Sequence, residues 1–281
     1  QSLKTELRSR RLHTVCESAR CPNMHECFHR GAATFMILGN LCTRGCGFCS
    51  VPKGSAAKQE FLLDPDEPRH VAEMAAQMNL RYVVLTSVNR ADLPDGGSFH
   101  FAQTVREVRR ALPAAKVEVL TPDFCGDLEA VARVLDAGPH VFNHNMETVR
   151  RLYRRVRPQA DYEQSLRVLR FARERSPATM TKSGLMVGLG ESVDEVHELL
   201  RDIYGAAVDV ATIGQYLQPT RRNLGVAEYV RPEQFDAYRD YGLALGFEMV
   251  FSGPFVRSSY MADRLNEEAG QAHACNLCAI L

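Results

Sequence analysis

The sequence predicts an α/β fold, a partial and open βα barrel of about six units with N- and C-terminal extensions. Apolar, β-branched runs alternate along the chain with segments of helical periodicity, which is typical of a parallel sheet with crossover helices. Six of the nine cysteines precede or directly follow the first predicted strand. We therefore expect an N-terminal extension at 1–33, a barrel at 34–250 and a C-terminal extension at 251–281.

Strands are predicted where β-branched and other apolar residues form short runs. These runs are residues 34–38, 82–86, 116–120, 141–144, 179–187, 210–216 and 247–252. Helical periodicity lies between them, at residues 69–79, 99–112, 128–137, 162–175, 193–204 and 232–245. Ser192 and Glu195 form the pattern of a capping box at the start of the fifth of these helices.

Composition and charge exclude several classes of protein. Hydrophobic residues make up 45% and charged residues 24% of the 281 residues, as in an ordinary globular chain. The formal net charge is zero, so we expect no nucleic-acid surface and no basic membrane patch. No apolar run reaches the roughly eighteen residues of a transmembrane helix, and no apolar signal segment follows Gln1. We expect a bacterial cytoplasmic location; a mitochondrial or plastid matrix stays open if a targeting peptide was removed.

Cys42, Cys46 and Cys49 form a C-x3-C-x2-C motif directly after the first predicted strand. Three thiolates can hold three irons of a [4Fe–4S] cluster, which normally has four protein ligands, so that one iron stays open to a substrate or cofactor. Two glycines within the motif allow the loop to wrap closely around a bulky group. The alternative is a zinc site, because C-x2-C is a common zinc half-motif, but zinc requires a matching second half.

A second cysteine group lies in the N-terminal extension, where Cys16, Cys21 and Cys27 have the spacing C-x4-C-x5-C. Beside the first motif this group indicates a second cluster, although such triplets also occur as buried thiols. Three thiolates again leave one iron without a cysteine ligand. The nearby candidates for a fourth ligand are His13, His25 and His29.

The first cysteine motif resembles the signature of the radical S-adenosylmethionine (SAM) superfamily. The two cysteine groups together resemble the lipoyl synthase family within it, and this likeness extends over residues 12–262. The other matching stretches are 85–88 (Leu-Thr-Ser-Val), 92–97, 142–149, 156–158, 182–191, 213–219, 252–254 and 257–260 (Arg-Ser-Ser-Tyr).

The resemblance implies the chemistry, the cofactors and the partners. SAM would chelate the open iron of the first [4Fe–4S] cluster, and one electron would cleave it to methionine and a 5′-deoxyadenosyl radical. Two such radicals, made in turn, would abstract hydrogens at C6 and C8 of an octanoyl chain, and a second, sacrificial [4Fe–4S] cluster would donate two sulfur atoms. The implied partners are octanoylated lipoyl-domain proteins (2-oxoacid dehydrogenase E2 subunits and the glycine cleavage H protein), an electron donor such as ferredoxin or flavodoxin, and an iron–sulfur carrier that rebuilds the cluster.

The resemblance also implies a serine ligand and a cofactor loop. Ser258 or Ser259, by preference Ser259, would be the fourth ligand of the second cluster, whereas either serine by itself is typical of a turn or helix cap. A serine oxygen is a harder and more readily protonated ligand than a thiolate, so it can leave more easily. Gly188 and Glu191 bound a loop that resembles the adenosine-facing loop of radical SAM barrels.

Four more candidates for SAM contacts follow from their place in the predicted barrel. Thr86 and Ser87 end one predicted strand, and Asn145 and Glu147 follow another. In βα barrels the chemistry gathers at the carboxyl ends of the strands, so we expect these side chains to bind the polar parts of SAM.

Several residues depart from the family pattern. Asn89 and Ala91 stand where acidic residues are usual, so either a contact to SAM or only surface charge would be lost. Cys125 is expected to be a bystander, and Cys275 and Cys278 lie in a tail that matches nothing in the family. Two alternatives remain open: another radical SAM sulfur-inserting enzyme, and a non-catalytic protein with structural zinc.

Overall fold

One sheet organises the part of the chain that the computed structural model describes, which is residues 7, 10, 12–15, 23–54 and 63–259. Its strands follow one another in chain order; β1 pairs antiparallel with β2, and all later neighbours are parallel. The strands are β1 His13–Thr14, β2 Ala32–Ile37, β3 Tyr82–Ser87, β4 Lys116–Leu120, β5 Val141–Asn143, β6 Met180–Val187, β7 Val210–Gln215 and β8 Met249–Gly253. β1 and β8 form the two ends of the sheet, which is therefore an open barrel.

Helices connect the successive parallel strands. They are α1 Met24–His29, α2 Glu67–Gln77, α3 Ser98–Ala111, α4 Leu128–Asp136, α5 Tyr153–Val156, α6 Tyr162–Arg175, α7 Val193–Gly205 and α8 Pro232–Leu245, with 3₁₀ turns at Phe124–Gly126 and Arg150–Leu152. The capping box is present at α7, where Ser192 accepts from the amide of Glu195 and Glu195 accepts from that of Ser192. Among the described residues, no helix combines the length and apolarity needed to cross a membrane.

The predicted fold class is confirmed: this is an α/β, partial and open βα barrel. Each predicted strand and helix is present, with ends displaced by two residues at most. β1, α1, α5 and the 3₁₀ turns were not predicted, because segments of two to six residues are too short to show a period. The division of the chain at residues 33/34 and 250/251 stays a prediction.

Alternation along the strands separates an outer core from the barrel interior. Val83 and Leu85 of β3 pack with helix residues in the outer core, whereas Tyr82 and Val84 point to the opposite, concave face. The concave apolar group comprises Ala32, Tyr82, Val84, Val141, Val210 and Met249, with Met180 and Phe251 against it. The interior is thus filled by side chains at this level rather than open as a pore.

A buried ion pair lies beside this apolar group. Lys182 Nζ is 3.2 Å from both carboxylate oxygens of Glu118, and the two side chains are 1% and 0% exposed. Tyr82 Oη and Asn143 Nδ2 each donate to Glu118 at 2.9 Å. The carboxylate therefore has partners from β3, β5 and β6. These hydrogen bonds offset part of the free energy that it costs to remove the two charges from water. The network ties four neighbouring strands together inside the barrel.

Replacement of Lys182 by methionine should leave Glu118 charged and buried without its cation. We expect the free energy of unfolding to fall by about 3–5 kcal/mol, as is usual when one partner of a buried pair is removed. The double variant Glu118→Gln/Lys182→Met should recover much of this loss. Anaerobic denaturant unfolding measures both.

The exposed pair between Arg175 and Asp136 provides the matched control, because its side chains are 47% and 48% exposed. Arg175→Met should cost no more than about 1 kcal/mol. Equal losses for Arg175→Met and Lys182→Met would contradict the role given to the buried network.

Candidate active site

The cysteine loop starts where β2 ends and returns on itself. Leu38, with a left-handed φ of 68°, turns the chain out of β2, and its amide donates to Glu67 Oε2 at 2.8 Å. The amide of Cys42 donates to Pro52 O at 2.9 Å, and the amide of Gly54 donates to Cys42 O at 3.1 Å. The loop is therefore closed by backbone hydrogen bonds around Cys42.

The segment after β3 holds the front of this loop. Thr43 donates from its amide to Asn89 O at 3.0 Å and from its hydroxyl to Asn89 Oδ1 at 2.7 Å. The amide of Asn89 points at Cys42 Sγ, 3.3 Å away, and the amide of Arg44 lies 3.5 Å from the same sulfur. Two backbone amides are therefore directed at the sulfur of Cys42.

The structure shows the surroundings of Asn89 and Ala91, the two departures from the family pattern. Asn89 Oδ1 acts only as an acceptor, from Thr43 and from the amide of Ala91 at 3.2 Å, and a carboxylate could accept the same bonds. The Ala91 side chain is exposed. The loss of a contact to SAM and the loss of surface charge alone both stay predictions for this position.

A buried ion pair anchors the centre of the loop. Arg44 donates to both oxygens of Asp123, at 2.6 and 3.0 Å, and Gln164 Nε2 adds a bond to Asp123 at 2.9 Å. Asp123 follows β4 and is fully buried. Burial opposes its ionisation, but the bonds from Arg44, the positive charge beside it and the amide of Cys125 hold the pKa of Asp123 at about 2. This carboxylate stays charged and fixes Arg44 between two cysteines.

The apex of the loop is Gly47, between Cys46 and Cys49. Its amide donates to Val156 O at 2.9 Å, and its own carbonyl accepts from the amide of Leu224 at 3.0 Å. A Cβ at Gly47 would lie 2.9 Å from the Leu224 side chain, so only glycine fits this approach.

Burial raises the pKa of the Cys46 and Cys49 thiols, with Arg157 opposing the effect at Cys46 and Lys53 at Cys49. Their free thiols therefore keep their protons, and binding of iron would release them. Three free cysteines in one closed loop, with amides directed at the first of them, form a donor set that fits a cluster bound by three thiolates. In the described part of the chain, no three His, Cys, Asp or Glu residues are arranged to hold a single metal ion.

The ends of β5 and β6 place further polar groups beside Cys46. Glu147 has a left-handed φ of 67° and accepts from Asn145 Nδ2 at 3.1 Å. Burial raises the pKa of Glu147, while Arg157 opposes that rise; Arg157 also donates to Asn145 O at 2.9 Å. Asn145 Oδ1 is buried and has no hydrogen-bond partner among the described residues. A Cβ at Gly184 would lie 2.9 Å from this oxygen, so the glycine keeps the space beside it clear.

The remaining predicted SAM contacts have different local roles. Ser87 Oγ is buried and lacks a partner among the described residues, whereas Thr86 Oγ1 donates to Leu120 O at 2.9 Å. Glu191 accepts from the amides of Gly188 and Leu189, so its carboxylate shapes its own turn. A Cβ at Gly188, whose φ is 96°, would lie 2.5 Å from Glu228 O. Both predicted residues of this loop therefore have a structural function in it.

The N-terminal extension and the C-terminal segment meet at β2. Asn23 Nδ2 donates to Phe255 O at 2.8 Å, and Thr34 Oγ1 donates to Ser259 Oγ at 3.2 Å. Cys27 lies four residues after Asn23 in α1 and is partly buried. Ser259 is thus placed near the cysteine-bearing extension, with Ser258 preceding it.

The structure does not describe all of the predicted residues. Cys16, Cys21, Cys275 and Cys278 fall outside the described residues, as does the side chain of His25. His13 lies in β1, and His29 is exposed at the end of α1. Cys125 is exposed and interacts with Arg44, and its assignment as a bystander stays a prediction.

Sequence reasoning missed Arg44, Asp123, Arg157 and Asn223, all of which contact the cysteine loop or its neighbours. Asn223 Nδ2 donates to the carbonyls of Gly47 and Cys49 at 3.2 and 3.1 Å. The position of Asp123 at a strand end was the available signal. Nothing in the sequence paired it with Arg44.

The fold and this loop define a class of protein. The radical SAM superfamily profile matches residues 36–203, more than half of the chain. The chain is similar in fold to Streptococcus suis SuiB bound to S-adenosylmethionine (TM-score 0.59, 10% identity, 82% of this chain and 53% of that one). It is also similar to methylornithine synthase (TM-score 0.53, 15% identity, 89% and 81%). The chain belongs to the radical SAM superfamily, which implies a [4Fe–4S] cluster and SAM.

Curated relatives give the particular family. The chain is 55% identical to the lipoyl synthase of Thermus thermophilus over 272 residues, 96% of this chain and 83% of that relative. It is 56% identical to the lipoyl synthase of Caldanaerobacter subterraneus over 257 residues, 92% and 89%. Within the superfamily, this chain is therefore a member of the lipoyl synthase family, and the family predicted from the sequence is confirmed.

Substitution of Asp123 by asparagine should leave the buried Arg44 charge without a carboxylate. We expect a loss of about 3–5 kcal/mol in unfolding free energy and weaker retention of iron by the cysteine loop. Anaerobic thermal unfolding and iron content after gel filtration measure the two effects.

Asp127→Asn is the matched control, because Asp127 caps α4 from the surface and asparagine caps equally well. Iron retention in Asp123→Asn equal to that in Asp127→Asn would show that the loop does not depend on the ion pair.

Proposed function

We propose that this chain catalyses the radical-mediated insertion of two sulfur atoms at C6 and C8 of an octanoyl chain, amide-linked to a lysine of a lipoyl-domain protein. The main observation in support of this proposal is the hydrogen bond between Thr34 and Ser259, the second serine of the Arg-Ser-Ser-Tyr element. Thr34 lies on β2, the strand that leads into the cysteine loop. Identity of 52–56% to several lipoyl synthases supports the same conclusion.

Two [4Fe–4S] clusters are part of the proposal. Cys42, Cys46 and Cys49 would hold the first through three thiolates and leave one iron for SAM. Cys16, Cys21 and Cys27 would hold the second, with Ser259 rather than Ser258 as its fourth ligand. The Asn23 to Phe255 bond supports this assignment, because it fixes the C-terminal segment against the extension that bears these cysteines. When bound, the clusters and SAM supply the electron, the carbon radical and the sulfur.

The residues beside Cys46 suit the recognition of SAM. Asn145 Oδ1 and Ser87 Oγ are buried acceptors without partners among the described residues, and buried polar atoms normally have partners. The amino group of SAM is a donor that could satisfy them. Glu147 would contribute a nearby carboxylate. Thr86, Gly188 and Glu191 would act by shaping the strand end and the turn, since their polar groups are occupied locally.

The interior supports a reaction at an unactivated carbon. The concave face around Tyr82 and Val84 is lined by buried apolar side chains, and the Glu118 to Lys182 pair is buried beside them. An alkyl chain that entered from the strand ends would therefore contact buried apolar side chains. Exclusion of water and fixed alignment are the main requirements for hydrogen abstraction by a reactive radical.

The proposed partners follow from this reaction. They are octanoylated 2-oxoacid dehydrogenase E2 subunits and glycine cleavage H protein, a ferredoxin or flavodoxin as electron donor, and an iron–sulfur carrier that rebuilds the second cluster. The bacterial lipoyl synthases to which the chain is similar favour the bacterial cytoplasm as its location.

The proposal predicts the products of an anaerobic assay. Reconstituted protein, SAM, dithionite and an octanoyl-lysine peptide should yield a peptide that has gained two sulfur atoms, together with 5′-deoxyadenosine, both detected by mass spectrometry. Deoxyadenosine without sulfur gain, from protein shown to contain both clusters, would move the chain to another radical SAM reaction. A colourless protein without iron would refute the cluster assignment itself.

Two cysteine variants should separate the two clusters. Cys42→Ala should abolish SAM cleavage, because the first cluster loses a ligand, whereas Cys27→Ala should retain some SAM cleavage but form no thiolated peptide. Asp127→Asn, at the exposed cap of α4, is the control and should retain both activities. Lipoyl product from Cys27→Ala would contradict the role of the second cysteine group.

A further inference from the structure

A cluster of basic residues surrounds the apex of the cysteine loop. Arg154 and Arg155 are exposed in α5, which ends against Gly47, and Arg221 and Arg222 are exposed directly before Asn223. None of the four arginines forms an ion pair within the described part of the chain. We call the exposed faces of these four residues the apex surface.

Backbone contacts hold both arginine pairs against Gly47. The carbonyl of Val156 accepts from the Gly47 amide, and the carbonyl of Arg155 lies 3.5 Å from the position of a Gly47 Cβ. On the other side, the Asn223 side chain bonds the carbonyls of Gly47 and Cys49. The arginines therefore flank the loop from two segments that the fold fixes to it.

A turn presents the second pair to solvent. Thr220 O accepts from the amide of Asn223 at 3.0 Å, and Thr220 Oγ1 donates to Asn223 Oδ1 at 2.7 Å. Arg221 and Arg222 are the two central residues of this turn, so their side chains extend from its tip. Lys53 adds a further exposed cation, with Nζ 3.4 Å from Cys49 O.

Two arginines shortly before Arg154 in the chain are neutralised by carboxylates, in contrast to the four arginines of the apex surface. Arg150 pairs with Glu163 and lies 3.3 Å from Asp202, and Arg151 pairs with Glu195 at 2.7 Å. The chain as a whole has no net charge. An excess of positive charge at the apex therefore reflects local placement, and such an excess steers an acidic partner towards it.

We propose that the apex surface is the docking site of the acidic protein that donates electrons to the first cluster. The inference rests on the proposed function, in which each turnover of SAM consumes one electron. That electron leaves the reduced donor, which is oxidised by one electron, and passes to the cluster held by Cys42, Cys46 and Cys49. Gly47 adjoins Cys46 and lies two residues from Cys49, so a donor at this surface would lie beside the segment that bears these ligands.

The packing at Gly47 favours an electron donor over the lipoyl-domain substrate. The space between Gly47 and Leu224 does not admit even a methyl group, since a Cβ there would lie 2.9 Å from Leu224. An octanoyl chain would have to displace the Leu224 side chain to enter at this point. Electron transfer requires only that the donor lie close to the cluster, and it does not require an opening into the barrel.

The test compares a protein donor with a small one. The variants are Arg154→Glu/Arg155→Glu and Arg221→Glu/Arg222→Glu, and the rate of 5′-deoxyadenosine formation is measured in the reconstituted enzyme with reduced flavodoxin or with dithionite. With flavodoxin, we expect KM for the donor to rise on the order of tenfold or more and its salt dependence to weaken. With dithionite, the rate should equal that of the unsubstituted protein. The neutral variants Arg154→Gln/Arg155→Gln and Arg221→Gln/Arg222→Gln should give an intermediate KM.

Arg106→Glu is the matched control, because Arg106 is exposed on α3 and forms no ion pair among the described residues. An unchanged flavodoxin KM in both double variants, or an equal rise in Arg106→Glu, would overturn the proposal. So would a raised KM for an octanoylated lipoyl domain with dithionite as reductant, because the surface would then belong to the substrate. Failure of the unsubstituted, cluster-loaded protein to cleave SAM with dithionite would instead refute the proposed function.

Discussion

The buried pair between Arg44 and Asp123 fixes the part of the molecule on which its chemistry depends. Arg44 lies between two cysteines, and its bidentate bond to Asp123 joins the loop after β2 to the end of β4. A loop rich in glycine would otherwise sample many conformations, and each ordered residue costs about 1–2 kcal/mol of backbone entropy. With Asp123 ionised at any ordinary pH, the pair compensates part of that cost and orients the loop before iron binds.

Further contacts around the loop are mostly made by backbone atoms and neutral side chains. Asn89 holds the front of the loop, Gln159 accepts from the amide of Gly45 at 2.7 Å, and Asn223 binds two carbonyls behind the apex. Neutral side chains leave the charge at the site to the cysteines, the cluster and a few ionic groups. Two cations oppose the effect of burial on the thiol pKa values, Arg157 at Cys46 and Lys53 at Cys49.

The sequence was sufficient for the elements and the thiols, but insufficient for what positions them. Periodicity located every long strand and helix, since a half-buried strand and an amphipathic helix each repeat their apolar residues at a fixed interval. Spacing located Cys42, Cys46 and Cys49. In contrast, Arg44 and Asp123 are 79 residues apart, and no local pattern distinguishes an inward arginine from the many on the surface. The local role of Glu191 could not be predicted either. The sequence does not distinguish a glutamate that accepts hydrogen bonds from its own turn from one that faces a ligand.

The two proposed ligand sets differ in how the chain holds their residues, and this difference suits the chemistry proposed for each. The cysteine loop is held by an ion pair and many hydrogen bonds from four segments. Ser259, in contrast, makes one side-chain hydrogen bond among the described residues, to Thr34, which is 225 residues away. β8 and the Asn23 to Phe255 bond already hold the chain up to Phe255, so beyond that point the serine depends on one neutral hydrogen bond, worth about 1 kcal/mol. Under the proposed function, a serine held in this way would be released more easily than the thiolates of the cysteine loop. A cluster that gives up its sulfur would need a ligand of the first kind, and a cluster that is used again at each turnover would need ligands of the second.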